Sequence, residues 1–235
     1  MNSIFRFKRF QVDQSNCAMK INTDGVLLAG IVQPFNAQRI LDIGTGTGVI
    51  AMMLAQKFPS ASVHGVEIDE AACKQASLNF GASDFNERLE VIASSFQQMK
   101  PAMPYDLIVS NPPFYTRSLH SPDPRRRIAK HADEVFFEDL MSFVERNLSA
   151  SGKFYCILPT LMAEKITNEL LPVLGLYYHG ATHIYSFRSE SPIRTVIEIG
   201  KQDSKFSCRE LVIYASKGVY SAEYQELLQP YFLNF

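Results

Sequence analysis

The sequence lacks the features that would assign the chain to a membrane or to the secretory route. Its uninterrupted hydrophobic runs stay well short of the roughly 20 residues that a membrane-spanning helix needs. Residues 1–10 alternate basic with aromatic side chains instead of forming the hydrophobic segment of a signal peptide. The 23 lysines and arginines nearly cancel the 24 aspartates and glutamates, so net charge indicates neither a nucleic-acid nor a membrane partner. These absences predict a cytoplasmic protein without a membrane partner.

Metal-binding, disulfide and hydrolase motifs are missing as well. The sequence contains four cysteines, which are Cys17, Cys73, Cys156 and Cys208. They lie far apart and form no C-x-x-C pair, so we expect buried free thiols and neither a zinc site nor a disulfide framework. His64, His179 and His183 have no carboxylate or cysteine partner at metal-ligand spacing. The sequence therefore predicts no bound metal and, because no Ser-His-Asp set can be recognised from spacing, no hydrolase.

What the chain does contain is an alternation of two patterns. Its 235 residues, 46% of them hydrophobic, suffice to bury a large core in one domain. Longer helical patterns lie between short apolar runs that predict strands. The predicted strands are 39–43, 62–68, 88–93, 105–110 and 152–159, and the predicted helices are 48–58, 69–80 and 133–148. This alternation is typical of an α/β fold, a doubly wound Rossmann-like sheet with mostly parallel strands.

The last part of the chain has a different pattern. A predicted helix at 161–175 is followed by three β-rich runs, at 177–187, 193–200 and 210–216. We expect these late strands to close the sheet with an antiparallel hairpin. The whole chain, 1–235, is then a single domain. Its parts are an N-terminal basic and aromatic segment with a lid at 1–38, a cofactor-binding and catalytic core at 39–160, and a sheet-closing part at 161–235.

The strongest cofactor signal is the stretch LDIGTGTGVI. Asp42 ends a predicted strand, and Gly44, Gly46 and Gly48 form the turn into the next helix. Glycines let the backbone turn sharply and let a ligand lie against bare main chain at a helix N-terminus. A dinucleotide fingerprint would place its third glycine one residue later, which disfavours NAD. The spacing instead resembles the S-adenosylmethionine loop of Rossmann-like methyltransferases, in which the aspartate helps to hold the methionine end. A glycine turn without a ligand is the alternative.

Acidic and polar residues follow the next two predicted strands. Glu67 comes 21 residues after Gly46, about where a carboxylate can accept both ribose hydroxyls of an adenosyl ligand. Asp69 is expected to cap the following helix. Many methyltransferases of this kind carry an aspartate after the third strand, where this chain has ASSF. There Ser95 can accept one hydrogen bond, and Phe96 can pack on the adenine.

The stretch SNPPF marks the predicted reaction centre, because it follows the fourth predicted strand and carboxyl ends of such strands face the ligand crevice. An exocyclic base amine is a poor nucleophile, since its lone pair is delocalised into the ring. The Asn111 side-chain oxygen and the Pro112 carbonyl can each accept one N–H of that amine. Pro113 helps to hold both acceptors in place. Phe114, together with Tyr115, can stack on a base turned out of its strand. A turn whose prolines merely end a strand is the alternative.

The motif N-P-P-F/Y occurs in amino-methyltransferases that act on adenine N6, on guanine N2 or on the glutamine amide of release factors, so it indicates the chemistry and not the substrate. The N-terminal stretch 5–30 narrows the choice. It closely resembles the start of the bacterial tRNA(Val) adenine-37 N6-methyltransferase family, with the pattern F-x-V-x-Q...M-K-[IV]-x-T-D-G-x-L-L. Together with LDIGTGTG, NPPF, KHADEVFFEDLM and FRSESPIRTVIEIG, the resemblance extends over essentially the whole chain.

This resemblance implies methyl transfer from S-adenosylmethionine to N6 of the adenosine next to the anticodon of a valine tRNA. Lys20 and Thr23 could line the cofactor pocket as part of an N-terminal lid, although Thr23-Asp24 also fits an ordinary helix N-cap. The partner expected is a tRNA, and no obligate protein partner is evident from the sequence.

Two basic clusters are candidates for RNA contact. The first, at the N-terminus, alternates with phenylalanines and consists of Arg6, Lys8 and Arg9. The second follows SNPPF and consists of Arg125, Arg126, Arg127 and Lys130. Basic residues interleaved with aromatic ones can bind phosphates and stack bases, and the second cluster is placed to clamp the backbone beside a flipped base. The alternatives are an edge strand with inward aromatics for the first cluster and a solvated charge run for the second.

Three other functions stay open from the residues alone. A methyltransferase for a protein glutamine amide would usually add a helical N-terminal domain, whereas about 38 residues precede the first predicted core strand here. An rRNA methyltransferase acting on guanine N2 would use the same motif. A non-catalytic RNA-binding module that retains the fold is opposed by the intact Asn111-Pro112-Pro113-Phe114.

Overall fold

A computed structural model describes residues 3–15, 17, 20–113 and 124–235, with only the backbone described for 124–133. In this part of the chain the strands are β1 (Ile4–Arg6), β2 (Gln11–Asp13), β3 (Arg39–Ile43), β4 (Ser62–Glu67), β5 (Leu89–Ala93), β6 (Tyr105–Ser110), β7 (Leu148–Leu158), β8 (Tyr177–Tyr185), β9 (Arg194–Gly200), β10 (Ser207–Val212), β11 (Tyr214–Ser216) and β12 (Val219–Tyr220). The α-helices are α1 (Thr23–Ile31), α2 (Val49–Lys57), α3 (Glu70–Gly81), α4 (Pro124–Asn147), α5 (Thr160–Lys165), α6 (Leu171–Leu174) and α7 (Ala222–Leu228).

One large sheet has the strand order β10-β8-β9-β7-β6-β3-β4-β5. β3 pairs in parallel with both β4 and β6, at the point where the order of the strands reverses. β9 runs antiparallel to β7 and to β8, and β10 pairs in parallel with β8. The predicted fold, a doubly wound and mostly parallel sheet with an antiparallel hairpin strand, is confirmed. In such sheets ligands bind outside the carboxyl ends of the strands at the reversal point, which here are β3 and β6.

The sheet is buried on both faces. Ile40 and Leu107 belong to the hydrophobic cluster on one face, and Leu41 and Ile108 belong to the cluster on the other. Neighbouring side chains of a strand point to opposite faces, so a strand covered by helices on both sides needs apolar residues at nearly every position. This is why these strands are continuous apolar runs in the sequence.

Several element boundaries differ from the prediction. The run at 210–216 divides, because β10 lies in the large sheet whereas β11 pairs with β12 in a small separate hairpin. The predicted helix at 161–175 consists of α5 and α6, joined by the π-helical turn Ile166–Leu170. β7 begins at Leu148, directly after α4, and so starts before the predicted strand at 152–159.

The N-terminal segment forms an antiparallel hairpin of β1 and β2 that is separate from the large sheet, so it is not an edge strand of that sheet. Phe7 and Phe10 are buried and stacked, with ring centroids 4.5 Å apart. Phe7 also packs against Phe232, at 5.6 Å, and the Lys8 backbone N–H donates to the Tyr231 carbonyl at 2.7 Å. The hairpin therefore packs against the C-terminal segment through its aromatic side chains.

The cysteines correct one expectation. Cys17, Cys73 and Cys156 are buried, but Cys208 is exposed. Cys208 lies on β10, which has a neighbouring strand on one side only, so the expectation of four buried thiols was wrong. None of the described helices has both the length and the hydrophobicity needed to cross a membrane.

Candidate active site

The glycine turn between β3 and α2 divides into two functional parts. Gly44, Gly46 and Gly48 all have positive φ angles, of 74°, 54° and 84°. Among the described atoms, a Cβ built on Gly44 would meet nothing within 4 Å, and one on Gly46 would meet only the Gly44 carbonyl oxygen, at 4.0 Å. A Cβ on Gly48 would lie 2.4 Å from the Phe80 ring. The first two glycines thus face open space at the start of α2, whereas the third lets the turn pack against α3.

Asp42 lies beneath this turn and is fully buried. Its Oδ2 accepts a hydrogen bond from the Thr45 hydroxyl at 2.7 Å, and its Oδ1 has no hydrogen-bond partner among the described residues. Burial raises the pKa of Asp42 to about 7, and the charge of Glu67 adds to this effect while the Thr45 hydrogen bond opposes it. The turn therefore contains a carboxyl group that is poised between its two protonation states near neutral pH.

Glu67, at the end of β4, lies against the same turn. Its Oε2 accepts from the Gly46 backbone N–H at 3.0 Å, a contact that the sequence analysis did not predict. Its Oε1 accepts from the backbone N–H groups of Ile68 and Asp69, at 2.8 and 3.0 Å. A carboxylate has about four acceptor positions, so one remains in this arrangement. Accepting two further hydroxyl groups would require release of one backbone donor.

The residues after β4 and β5 only partly match the prediction. Asp69 caps α3, accepting from the Ala72 N–H at 2.8 Å, which confirms its expected role. Phe96 is buried and packs edge-on against Phe136 and Phe143 in the core, and Ser95, half-buried, precedes it at the start of a 3-10 turn. Contact of either residue with an adenine stays a prediction.

Ile68 was missed by the sequence analysis. Its side chain is 77% exposed although it directly follows Glu67. An apolar residue after an acidic one at the end of a buried strand was the available signal, but the pattern alone assigned it to the strand. The structure shows that β4 ends at Glu67, which leaves Ile68 free to cover a ligand.

Asn111 follows β6 directly beside the glycine turn. Ser110 is paired with Ile43 in the sheet, and its hydroxyl donates to the Ile43 carbonyl at 3.1 Å. The residues after these two, Asn111 and Gly44, therefore emerge at the same edge of the sheet. Asn111 is half-buried, Pro112 is buried and Pro113 is exposed, whereas Phe114 and Tyr115 lie outside the described residues.

The start of α1 approaches Asn111 from the N-terminal side. The helix is capped by Asn22, whose Oδ1 accepts from the Gly25 N–H at 2.9 Å, so the alternative of a cap at Thr23-Asp24 was wrong by one residue. The Asn111 Nδ2 lies 3.5 Å from the same Asn22 oxygen. Thr23 and Lys20 are exposed near this helix end, and their contact with a cofactor stays a prediction.

A second contact joins α1 to the late hairpin. The Asp24 carboxylate accepts from Arg194 Nε, the first residue of β9, at 2.8 Å. Asp24 and Arg194 are 170 positions apart, so no local pattern could have predicted the pair. The ion pair connects the predicted lid to the sheet-closing part of the chain.

Comparison with known proteins agrees with this arrangement. Residues 17–149 match the family described as "Methyltransferase small domain". A protein of Pedobacter heparinus named "tRNA1(Val) (adenine(37)-N6)-methyltransferase" is 44% identical over 235 residues, which cover 100% of both chains. A protein of Aeromonas hydrophila with the same name is 39% identical and covers 99% of this chain and 98% of its own. The chain belongs to the methyltransferase family of these two relatives.

Solved structures of other methyltransferases share the fold. A predicted O-methyltransferase from Agrobacterium tumefaciens superposes with a TM-score of 0.66 at 19% identity, covering 88% of this chain and 96% of its own. A putative class I S-adenosylmethionine-dependent methyltransferase from Listeria monocytogenes gives a TM-score of 0.57 at 16% identity, covering 84% and 67%. At these identities the similarity extends to the fold only.

The N-terminal cluster expected to bind RNA makes contacts within this methyltransferase. The Lys8 ammonium donates to the carbonyl oxygens of Gln229 and Phe235, at 2.5 and 3.1 Å. The Arg9 guanidinium lies 5.1 Å from the centre of the Phe85 ring, and Arg6 is exposed. Lys8 and Arg9 therefore have partners within the protein, and RNA binding by the three residues stays a prediction.

For the second basic cluster the structure describes the backbone. The backbone of Arg125, Arg126, Arg127 and Lys130 belongs to α4, and their side chains lie outside the described residues. Within the described part of the chain, no three histidine, cysteine, aspartate or glutamate side chains are arranged to hold a metal ion.

Proposed function

We propose that this methyltransferase transfers a methyl group from S-adenosylmethionine to N6 of adenosine 37, the nucleoside next to the anticodon, in a valine tRNA. The observation that carries the proposal is the position of Asn111 beside the glycine turn, in a chain that matches the named relatives over its full length. A tRNA is a cytoplasmic substrate, in agreement with the location that the sequence predicts.

The residues present fit this cofactor. The open space beside Gly44 and Gly46 can receive a ligand against bare backbone, and Glu67 retains one acceptor position for a ribose hydroxyl. The buried Asp42 oxygen without a partner can accept from the ammonium group of a methionine moiety. Ile68 offers an exposed apolar surface for the adenine at the same edge of the sheet. When bound, the cofactor supplies an electrophilic methyl group on its sulfonium.

Asn111 and Pro112 prepare the amine for attack. The side-chain oxygen of Asn111 and the carbonyl of Pro112 each accept one N–H of the adenine N6 group, which localises the lone pair and directs it at the methyl carbon. With the cofactor bound, the nitrogen lone pair would form the N–C bond as the S–C bond breaks, and the sulfur would keep the electrons of that bond. The nitrogen then loses one proton to solvent. Positioning provides most of the rate enhancement, so no strong base is required.

The alternatives are less well supported. The relatives at 37–44% identity are named for a tRNA adenine and not for guanine N2 or a glutamine amide. A non-catalytic RNA-binding module would have no use for an amide acceptor placed next to the cofactor turn. The alternatives nevertheless predict different outcomes, which are a methylated guanine, a methylated glutamine or no methylated product, so experiment can separate them.

The test is transfer of tritium from labelled S-adenosylmethionine into total tRNA of a strain that lacks this gene, followed by nucleoside analysis. We expect N6-methyladenosine in a valine tRNA. Asn111→Ala should lower kcat by about 100-fold or more, while the cofactor dissociation constant, measured by calorimetry, stays within about 3-fold of wild type. Label found only in rRNA or protein would contradict the proposed substrate.

A further inference from the structure

The Asn22 side chain contacts both the helix that it caps and the predicted catalytic residue Asn111. Its Oδ1 accepts the Gly25 N–H at 2.9 Å, as an ordinary helix cap does, and the same oxygen faces the Asn111 Nδ2 at 3.5 Å. Gly25 has no side chain to separate the two amides, since a Cβ built there would lie 3.5 Å from Asn22 Oδ1 and 3.6 Å from Asn111 Nδ2. The two asparagines are 89 positions apart and come together only through the fold.

The helix cap settles which end of each amide faces the other. A backbone N–H can only donate, so the Asn22 atom that bonds to Gly25 must be the oxygen. An oxygen cannot donate, so the Asn111 atom next to it is favoured as the NH2 group. The other end of the Asn111 amide is then its oxygen. This is the end that must accept from the substrate amine, because an NH2 group there would meet another donor.

We propose that Asn22 is a positioning residue that holds the Asn111 amide in the orientation with its oxygen available to the substrate. This inference rests on the proposed function. Without Asn22 the amide is free to rotate by 180°, and the rotated form cannot accept an N–H from the amine. Because Asn22 is itself held by its bond to the Gly25 N–H, the position of α1 determines the orientation of the Asn111 side-chain oxygen.

Three substitutions at position 22 separate this role from capping alone. Serine and aspartate cap helices about as well as asparagine does, so Asn22→Ser and Asn22→Asp should both keep α1 intact. The serine hydroxyl is too short to bond to Gly25 and also to face Asn111, whereas an aspartate oxygen can accept from both. Asn22→Ala removes both contacts. Ser221→Ala, which removes the cap of α7, is the control for loss of a helix cap elsewhere.

The measurements are the melting temperature and steady-state kinetics with tRNA. We expect Asn22→Ser to melt close to wild type but to lose about 5- to 20-fold in kcat, with little change in KM, since one neutral hydrogen bond sets the amide orientation. Asn22→Asp should restore most of kcat. Ser221→Ala should melt lower with kcat unchanged. Wild-type kcat in Asn22→Ser, or an equal loss in the serine and aspartate variants, would overturn the proposal.

A second readout does not depend on turnover. The side-chain NH2 resonances of Asn111, assigned in selectively labelled protein by comparison with Asn111→Ala, should move in Asn22→Ser and remain near their wild-type positions in Asn22→Asp. Unmoved resonances in Asn22→Ser would show that the two amides do not interact. If the wild-type protein fails to methylate tRNA, the substrate proposal fails, but this measurement still decides whether Asn22 orients Asn111.

Discussion

At the scale of single residues, the glycines of the turn after β3 have separable tasks. Gly48→Ala places a Cβ 2.4 Å from the Phe80 ring at a φ of 84°, and should lower the free energy of unfolding by about 2–4 kcal/mol. A Cβ on Gly44 would meet no described atom within 4 Å, so Gly44→Ala should lower the free energy of unfolding only by the roughly 1–2 kcal/mol that a positive φ costs a residue with a side chain. It should also weaken cofactor binding. Urea unfolding and calorimetry measure the two effects. Equal loss of stability in both variants would contradict this division.

Asp42 should make stability depend on pH. Because burial raises its pKa from 3.8 to about 7, the folded state holds its proton more tightly than the unfolded state, and its contribution to stability falls as pH rises from about 4 to about 7. Asn stays neutral and can still accept from Thr45. Asp42→Asn should therefore be more stable than wild type at pH 8, by up to about 4 kcal/mol, with the difference vanishing near pH 4.

Urea unfolding at intervals between pH 4 and pH 8 measures this difference. Thr45→Val provides the complementary control. Loss of the hydroxyl that lowers the Asp42 pKa should raise that pKa further, so the fall in stability should extend to higher pH in this variant than in wild type. Parallel stability curves for wild type and Asp42→Asn over the whole range would show that Asp42 does not titrate in this window.

At the scale of elements, α1 is a buried helix whose C-terminal carbonyls depend on a lysine of α2. Lys57 Nζ donates to the carbonyl oxygens of Ala29, Gly30 and Val32, at 2.7, 2.7 and 2.8 Å. Lys57 is half-buried at this helix end, and Lys57→Met removes the donor of all three carbonyls, so it should lower the free energy of unfolding by about 2 kcal/mol. Lys74→Met is the matched control, because its pair with Glu70 is exposed and screened by solvent and should leave the free energy of unfolding nearly unchanged. A similar small loss in both variants would refute the capping role of Lys57.

At the scale of the whole molecule, a protein with a formal net charge of −1 that acts on a tRNA, as proposed above, must bind this polyanion through local clusters. Replacing Arg125, Arg126 and Arg127 with alanine should weaken tRNA binding and flatten its dependence on salt by about 2–3 in the logarithmic slope. The control changes the same number of charges at exposed lysines elsewhere, namely Lys74, Lys205 and Lys217. Filter binding at several salt concentrations compares them, and an unchanged slope in the arginine variant would remove this cluster from the interface.

The features that were predicted correctly depend on residues that lie close together in the chain. The strands, the glycine turn, the Asp69 cap and the location of Asn111 were all predictable, because each depends on a periodicity or a spacing within a few residues. The error at 210–216 arose because a local pattern does not show which sheet a strand joins. The error at the cap of α1 arose because Asn22, Thr23 and Asp24 are all residue types that cap helices well. Phe96 shows a third case, since an aromatic residue next to a ligand crevice and one in the core have the same local sequence.

Local patterns thus sufficed to predict the fold class, because strand periodicity and glycine turns depend on residues that are close together in the chain, whereas the chemistry of the site stays a prediction. The partners of the site residues required the tertiary structure. Asn22 meets Asn111 across 89 positions, and Asp24 meets Arg194 across 170. Such pairs form only when the packed core brings distant backbone segments to one edge of the sheet. The sequence between the two residues of a pair therefore contains no signal of their contact.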